Sequence, residues 1–176
     1  YDSLLMLDSI QPAGVTVLQS DPHGLVPAMG AIALVAPSAV VQLLENNNLD
    51  PLGTCVSVQG KPKLDKMAMN VKIVPEDDDE ETITHTVMGG HLWVYPLPVD
   101  KTALVTIKCR RGLSINGKRR VKLTLTGGLL GLIFDARGRP LTLLADANKR
   151  AEQFPMWIHE ITGDPLLEID PDLLKP

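Results

Sequence analysis

The chain has 176 residues, a formal net charge of −4 and an aromatic content of only 3%. This length suits one domain, or one domain and a fraction, with a core of aliphatic side chains. Two cysteines are too few for a secreted disulfide scaffold, and the acidic balance argues against bulk nucleic-acid binding. The most apolar run, 25–36, is too short to span a membrane. We therefore expect a cytoplasmic protein, and the opening at Tyr1 without an initiator Met indicates a piece of a larger polypeptide.

The first zone, residues 1–50, has the pattern of a short α/β segment. Apolar side chains at helical spacing predict a helix over 4–10, and a β-branched run predicts a strand over 15–18. Small and apolar residues predict a second helix over 25–35. A third helix is expected over 38–44, because the Ser at its first position is a suitable N-cap.

The second zone, residues 51–145, has the period of β structure. Apolar side chains alternate with polar ones at 67–73, 103–109 and 121–125, which predicts antiparallel strands with their odd-numbered residues inside. Turn signals containing Gly and Asn separate these runs. About six to eight short strands at this spacing are typical of a small barrel or sandwich.

The run 129–134 is apolar on both faces and predicts the most buried strand of the protein. The residues that follow, 135–138, have the composition of a tight turn, with Asp first and Gly last. We therefore expect the buried strand to end at Phe134 and Gly138 to adopt a positive φ angle.

The third zone, residues 146–176, predicts a helix followed by an irregular tail over 164–176. Asp146 is a good N-cap, apolar residues recur at helical spacing, and Gly163 ends the pattern. The sequence as a whole predicts an α+β, mainly β fold: a small antiparallel β-barrel or sandwich with a short α/β N-terminal segment and a C-terminal helix.

The sequence contains no recognisable catalytic residue and no metal site, and its pattern does not say which residues, if any, bind a cofactor. His85 shares a strand face with Ile83 and Val87, which favours a hydrogen-bonded core histidine over a metal ligand. The acidic run 76–81 has no Gly turn inside it, so a solvated hairpin loop is favoured over a Ca²⁺ site. The two cysteines, at 55 and 109, lack the spacing of a zinc site.

The strongest charge asymmetry lies at 101–122, which contains eight basic residues and no acidic one. A solvated strand face and a surface for an acidic partner are both compatible with this pattern. Nucleic acid is disfavoured, because the stretch lacks the aromatic residues that stack on bases. Two further arginines fall in the turn after the buried strand. The candidate partner-binding residues are Arg110, Arg111, Lys118, Arg119, Arg120, Arg137 and Arg139.

Three stretches of sequence, 8–16, 21–31 and 130–141, carry a family resemblance. They resemble the C-terminal part of the glutamate mutase accessory protein family, the MutL or GlmL type, which is unrelated to the mismatch-repair protein of similar name. The resemblance covers roughly residues 1–45 and 119–162. The N-terminal part of that family is similar to the actin/Hsp70-like ATPases, and the family is thought to reactivate adenosylcobalamin-dependent mutases as a chaperone.

The resemblance implies that residues 1–45 are the tail of an ATPase-like fold whose ATP and Mg²⁺ sites lie upstream. It transfers no catalytic residue or cofactor to this chain. Its expected partners are the upstream part of its own polypeptide and a corrinoid-dependent mutase. The function implied is that of a non-catalytic C-terminal module that acts through protein contacts.

Two alternatives remain open at the level of sequence. The β zone could bind a small anionic ligand through Arg137, Arg139 and neighbouring basic residues. The chain could also be part of an enzyme whose site another subunit completes.

Overall fold

The computed structural model describes residues 2–45, 49–76 and 81–163. Within these ranges four helices and eight strands follow one another along the chain. They are α1 (Asp2–Ile10), β1 (Gly14–Ser20), α2 (Leu25–Ala33), α3 (Pro37–Glu45), β2 (Asp50–Gln59), β3 (Met67–Pro75), β4 (Ile83–Met88), β5 (Leu92–Tyr95), β6 (Thr102–Cys109), β7 (Arg120–Thr126), β8 (Leu132–Arg139) and α4 (Ala147–Thr162). The expected acidic loop falls largely, and the expected tail entirely, outside the described residues.

The strands form two four-stranded sheets that pack as a sandwich. The first sheet has the order β1-β2-β8-β5 and the second the order β4-β3-β6-β7. Every pairing is antiparallel except that of β2 with β8, which is parallel. The predicted mainly β fold with a C-terminal helix is confirmed, and of the two predicted architectures the sandwich is the one observed.

The main core lies between the two sheets. Alternate residues of β3 and β6 point into it, as the alternating pattern predicted, although Met67 at the start of β3 is 41% exposed. In β7, Leu125 is buried, and Val121 and Leu123 are partly buried against the same core. The fully buried side chains of β3 and β6 are Met69, Val71, Ile73, Ala103, Val105 and Ile107.

A second, smaller core lies between the first sheet and the helices α1 and α4. It unites Leu7 of α1, Trp157 of α4 and Ile133 of β8. Helices and two sheets therefore form three layers, and α1 and β1 are part of the sandwich because β1 pairs with β2 along its length. The zone boundary predicted near residue 50 therefore falls between β1 and β2, which are neighbouring strands of one sheet.

The strand β8 differs from its predicted position. Leu129, expected at its start, lies in a turn and is 69% exposed, whereas residues 132–139 form the strand and are all buried. The turn predicted over 135–138 was wrong, because these residues continue the strand and Asp135, which had suggested a turn, pairs with Arg137 and Arg139 inside the protein. Gly138 does have a positive φ, 89°, and a side chain there would collide with Pro62 and Gly60.

The helices largely follow their sequence signals. Asp146 caps α4 by accepting hydrogen bonds from two backbone N–H groups, and Gly163 ends the helix with a positive φ of 72°. Ser38 was predicted as a cap, but α3 begins one residue earlier at Pro37, and Pro is favoured in a first helical turn. Among the described residues, no helix is both long and apolar enough to cross a membrane.

Candidate functional site

Two of the candidate partner-binding residues, Arg137 and Arg139, lie inside the protein around a fully buried carboxylate. Arg137 donates from Nε and Nη2 to Asp135 at 3.2 and 3.1 Å. Arg139 donates from Nη2 to the same carboxylate and from Nε to the carbonyl oxygen of Pro12, the latter at 3.2 Å. Both arginines are only 6% exposed. A ligand or partner in contact with the surface would therefore not reach their guanidinium groups.

Helices α1 and α4 close this buried cluster of charges. Asp8 of α1 lies 2.7 Å from Arg137 Nη2, and the ring of Trp157 lies 4.8 Å from the centre of the guanidinium. Burial disfavours the charged guanidinium, but Asp135 and Asp8 outweigh that effect, so the pKa of Arg137 lies above its ordinary value. Two arginines and two carboxylates balance in charge, which fits a structural cluster that ties both helices to β8.

The other five candidate residues lie at or near the surface, at one end of β6 and β7. Arg110 is half-buried directly after β6, Arg111 is exposed in the following turn, and Arg120 begins β7. Lys118 and Arg119 precede β7 and are exposed. The structure therefore divides the seven candidates into five accessible residues and two interior ones.

Four basic residues, including Arg120, share one face of the second sheet. In the strand register, Lys108 of β6 is opposite Arg120 of β7, and Lys72 of β3 is in the same row as Lys122. Like charges directly opposite each other on a sheet oppose its pairing, so this face has an electrostatic cost that an acidic partner would relieve. We call these four residues the basic face.

The helices α2 and α3 form a hairpin with exposed apolar side chains. Leu34 and Val35, at its tip, are 88% and 87% exposed, and Val26, Val41 and Leu44 are about half exposed. The sequence from 25 to 44 contains no charged residue. We call residues 25–45 the apolar hairpin. The sequence had predicted its helices but not its exposure, although the uncharged run was a visible signal.

His91 and His85 each contact other side chains, and the described residues contain no cluster of His, Cys, Asp and Glu that could hold a metal ion. His91 lies between Glu160, at 2.5 Å from its Nδ1, and Asp65, at 3.1 Å from its Nε2. The prediction of a core position for His85 was wrong: the residue is exposed on one side and stacks its ring on Trp93 at 4.2 Å on the other. Partial burial against that ring lowers the pKa of His85.

The two cysteines are free and buried in separate places. Burial raises the pKa of Cys55 to about 12, with a further contribution from Asp135, and raises that of Cys109 to about 11. Both thiols are therefore protonated at neutral pH, and a protonated thiol is a poor nucleophile and a poor metal ligand.

A cavity of about 360 Å³ lies at the edge of the first sheet near the end of α4. Its described walls are apolar side chains and Gly-rich backbone, and none of the lining residues that the structure describes is titratable. The lining residues are Val94, Pro96, Leu97, Pro98, Gly128, Leu129, Leu130, Gly131, Ile133 and Ile161. The side chains described in its wall therefore do not include the convergent polar groups that orient a substrate for reaction.

Comparison of the chain with protein-family models, with curated proteins and with solved structures finds no match. The resemblance carried by residues 8–16, 21–31 and 130–141 therefore stays a prediction.

Proposed function

We propose that this chain is a non-catalytic module that acts through protein contacts, with the apolar hairpin as its main contact surface. The observation that carries the proposal is the exposure of Leu34 and Val35 within a run of 20 residues, 25–44, that has no charge. Soluble proteins rarely leave a contiguous apolar patch of this kind in water, and such patches mark interaction sites.

The chemistry of the hairpin favours a permanent partner. Charged residues are depleted at the centres of interfaces, and obligate interfaces are the most apolar ones. The upstream part of the same polypeptide is a permanent partner by connection, and the family resemblance expects an ATPase-like fold there. The resemblance stretch 21–31 includes most of α2. We therefore assign the hairpin to the contact with that upstream part.

The resemblance supplies the larger setting of this proposal. The ATPase-like part would bind ATP and Mg²⁺, and the whole cytoplasmic protein would act on an adenosylcobalamin-dependent mutase as a reactivating chaperone. The module would contribute protein contacts and no reacting group. The alternative of an anionic ligand held by Arg137 and Arg139 is less favoured, because both guanidinium groups are buried and paired with carboxylates.

Hydrogen exchange on the full-length protein tests this assignment. In the wild type, amides of α2 and α3 should exchange slowly, as in a docked element. The double variant Leu34→Ser, Val35→Ser should expose both helices and the upstream surface that they cover, and should weaken co-purification with the mutase. Leu129→Ser is the matched control, because Leu129 is also exposed and apolar but lies outside the hairpin.

Two results would contradict the assignment. Fast exchange of the hairpin amides in the wild-type protein would show that nothing covers them. Protection that disappears on dilution would show that the hairpin contacts a second copy of the chain instead of the upstream part.

A further inference from the structure

Two loops of the sandwich form a depression of about 290 Å³ with four basic residues in its wall. The connection between β2 and β3 contributes Lys61, Pro62 and Lys63. The connection between β6 and β7 contributes 110–113, including two consecutive arginines. We call this depression the basic pocket. Its two lysines were not among the residues singled out from sequence, because they are 47 or more positions away from the arginines.

Backbone contacts fix the two loops against each other. Gln59 and Ser114, which flank the two loops in sequence, exchange two backbone hydrogen bonds of 2.8 and 3.2 Å. The backbone N–H of Arg110 donates to Ala68 at 2.8 Å, which anchors the second loop to β3. A side chain at Gly60 would lie 2.7 Å from the carbonyl oxygen of Gly112, so the loops approach as closely as glycine permits. The pocket is thus formed before any ligand binds, which reduces the ordering cost of binding.

The positive charge of the pocket is not balanced by the residues that the structure describes. None of the four basic side chains takes part in an ion pair within that part of the chain. The acidic residue nearest in sequence to the lysines, Asp65, is instead paired with His91. Mutual repulsion among four clustered cations opposes folding, and a bound anion would remove that repulsion.

The composition of the wall indicates the class of anion. Arginine presents a planar fork that matches a phosphate group, and lysine adds a point charge to it. Pro62 and the buried side chain of Leu113 add a small apolar surface beside the cations. The volume is at the lower end of the roughly 300–1,000 Å³ typical of ligand pockets, so a small molecule fits and a drug-sized one does not.

We propose that the basic pocket binds the phosphoryl group of a small phosphorylated molecule. The inference is independent of the apolar hairpin and of the family resemblance, since it depends only on Lys61, Lys63, Arg110, Arg111 and the backbone that holds them together.

Calorimetric titration of the purified protein tests the proposal, with inorganic phosphate, pyrophosphate and glycerol 3-phosphate as probes at constant ionic strength. The pocket variant is Lys63→Gln with Arg111→Gln, and both residues are exposed. The matched control is Lys108→Gln with Lys122→Gln, which removes the same charge from the basic face. We expect saturable binding to the wild type, a loss of affinity of at least about tenfold in the pocket variant, and little change in the control.

The probes also distinguish the two sources of a phosphoryl group. Equal affinity for inorganic phosphate and glycerol 3-phosphate would show that the pocket recognises the phosphate group alone. Tighter binding of glycerol 3-phosphate would show that Pro62 and Leu113 contact the organic part of the ligand. Equal losses of affinity in the pocket variant and the control would overturn the proposal, because they would show a general electrostatic attraction. The absence of saturable binding for all three probes would overturn it as well.

Discussion

The side-chain carboxylate of Asp135 contacts two arginines of its own strand. Its side chain is fully buried in β8, and Arg137 and Arg139 both donate to it. An unpaired charge at such depth would be very unfavourable, so each member of the cluster depends on the others. This dependence explains how three charged residues occupy the most buried strand of the protein.

Replacing Asp135 with Asn should therefore destabilise the fold strongly. The two guanidinium groups would keep their burial and lose their common counter-charge, although Asp8 would still contact Arg137. We expect the free energy of unfolding, measured by denaturant titration, to fall by about 3–5 kcal/mol. The exposed residue Asp100 supplies the control, since Asp100→Asn should change stability very little. A loss below about 1 kcal/mol for Asp135→Asn would show that the arginines find other partners.

At the scale of elements, α4 is held on the first sheet by three polar contacts at one turn. Trp157 donates from Nε1 to the carbonyl oxygen of Gly90 at 2.7 Å. Glu160 accepts a hydrogen bond of 2.8 Å from the backbone N–H of Leu92 and contacts His91 with its other oxygen. The helix therefore depends on polar contacts at 90–92 as well as on its apolar face.

The contact of His91 with α4 should make stability depend on pH. Partial burial disfavours the charged ring, but the hydrogen bonds and charges of Glu160 and Asp65 outweigh it, and the pKa of His91 is raised above 6.5. Because the folded state binds the proton more tightly, the stabilisation is fully present below about pH 6.5 and is lost as the pH rises through the raised pKa.

The variant His91→Gln isolates this contribution. Its loss of stability relative to the wild type should be larger at pH 5.5 than at pH 8.5, two test values chosen on either side of the ordinary histidine pKa of about 6.5. Denaturant titrations at both pH values measure the difference. His23→Gln, at an exposed turn, is the control and should show no such dependence. An equal loss at both values for His91→Gln would mean that folding leaves the pKa of the ring unchanged, and a smaller loss at pH 5.5 would mean that folding lowers it.

The sequence predicted the elements whose side chains alternate regularly. β3, β6 and β7 have one apolar and one polar face, and that difference is visible without any knowledge of their neighbours. The C-terminal helix could be predicted equally well, because Asp146 and Gly163 are local signals whose effect does not depend on tertiary structure.

The elements of the first sheet were harder to predict, because their partners are distant in sequence. The parallel pairing of β2 with β8 joins residues about 80 positions apart, for example Thr54 and Leu132. The charged half of β8 resembles a turn until the pairing of Asp135 with its arginines is known. The basic pocket was missed for the same reason, since only the sandwich brings Lys61 and Lys63 next to Arg110 and Arg111.

At the scale of the whole molecule, the three layers give the sandwich two different outer surfaces. Helices α1 and α4 cover the outer side of the first sheet, and the apolar side chains of that side are packed against them. The outer side of the second sheet presents the basic face, where Lys108 and Arg120 stand opposite each other. An acidic partner surface would therefore be attracted to the second sheet rather than to the first.

The exposed arginines at the start of β7 should contribute to partner binding. Arg120 belongs to the basic face and Arg119 precedes it in the chain; both are exposed, and both are distinct from the arginines of the basic pocket. Reversing both to Glu should leave the fold intact, because neither side chain is in the core. If the partner is the adenosylcobalamin-dependent mutase proposed above, we expect the variant to associate with it more slowly at low salt. The difference from the wild type should shrink as salt rises, because exposed charges mainly steer encounter and salt screens them.

Stopped-flow or surface-binding kinetics at several salt concentrations measure this effect. The control is Lys66→Glu with Lys149→Glu, which makes the net charge more negative by the same amount at two other exposed positions. A slowing specific to Arg119 and Arg120 would locate the acidic partner on the second sheet, because the control has the same overall charge. Equal slowing in both variants would mean that only net charge matters. Retention of the wild type on DNA or RNA that the Arg119 and Arg120 reversal abolishes would instead identify a nucleic acid as the acidic partner.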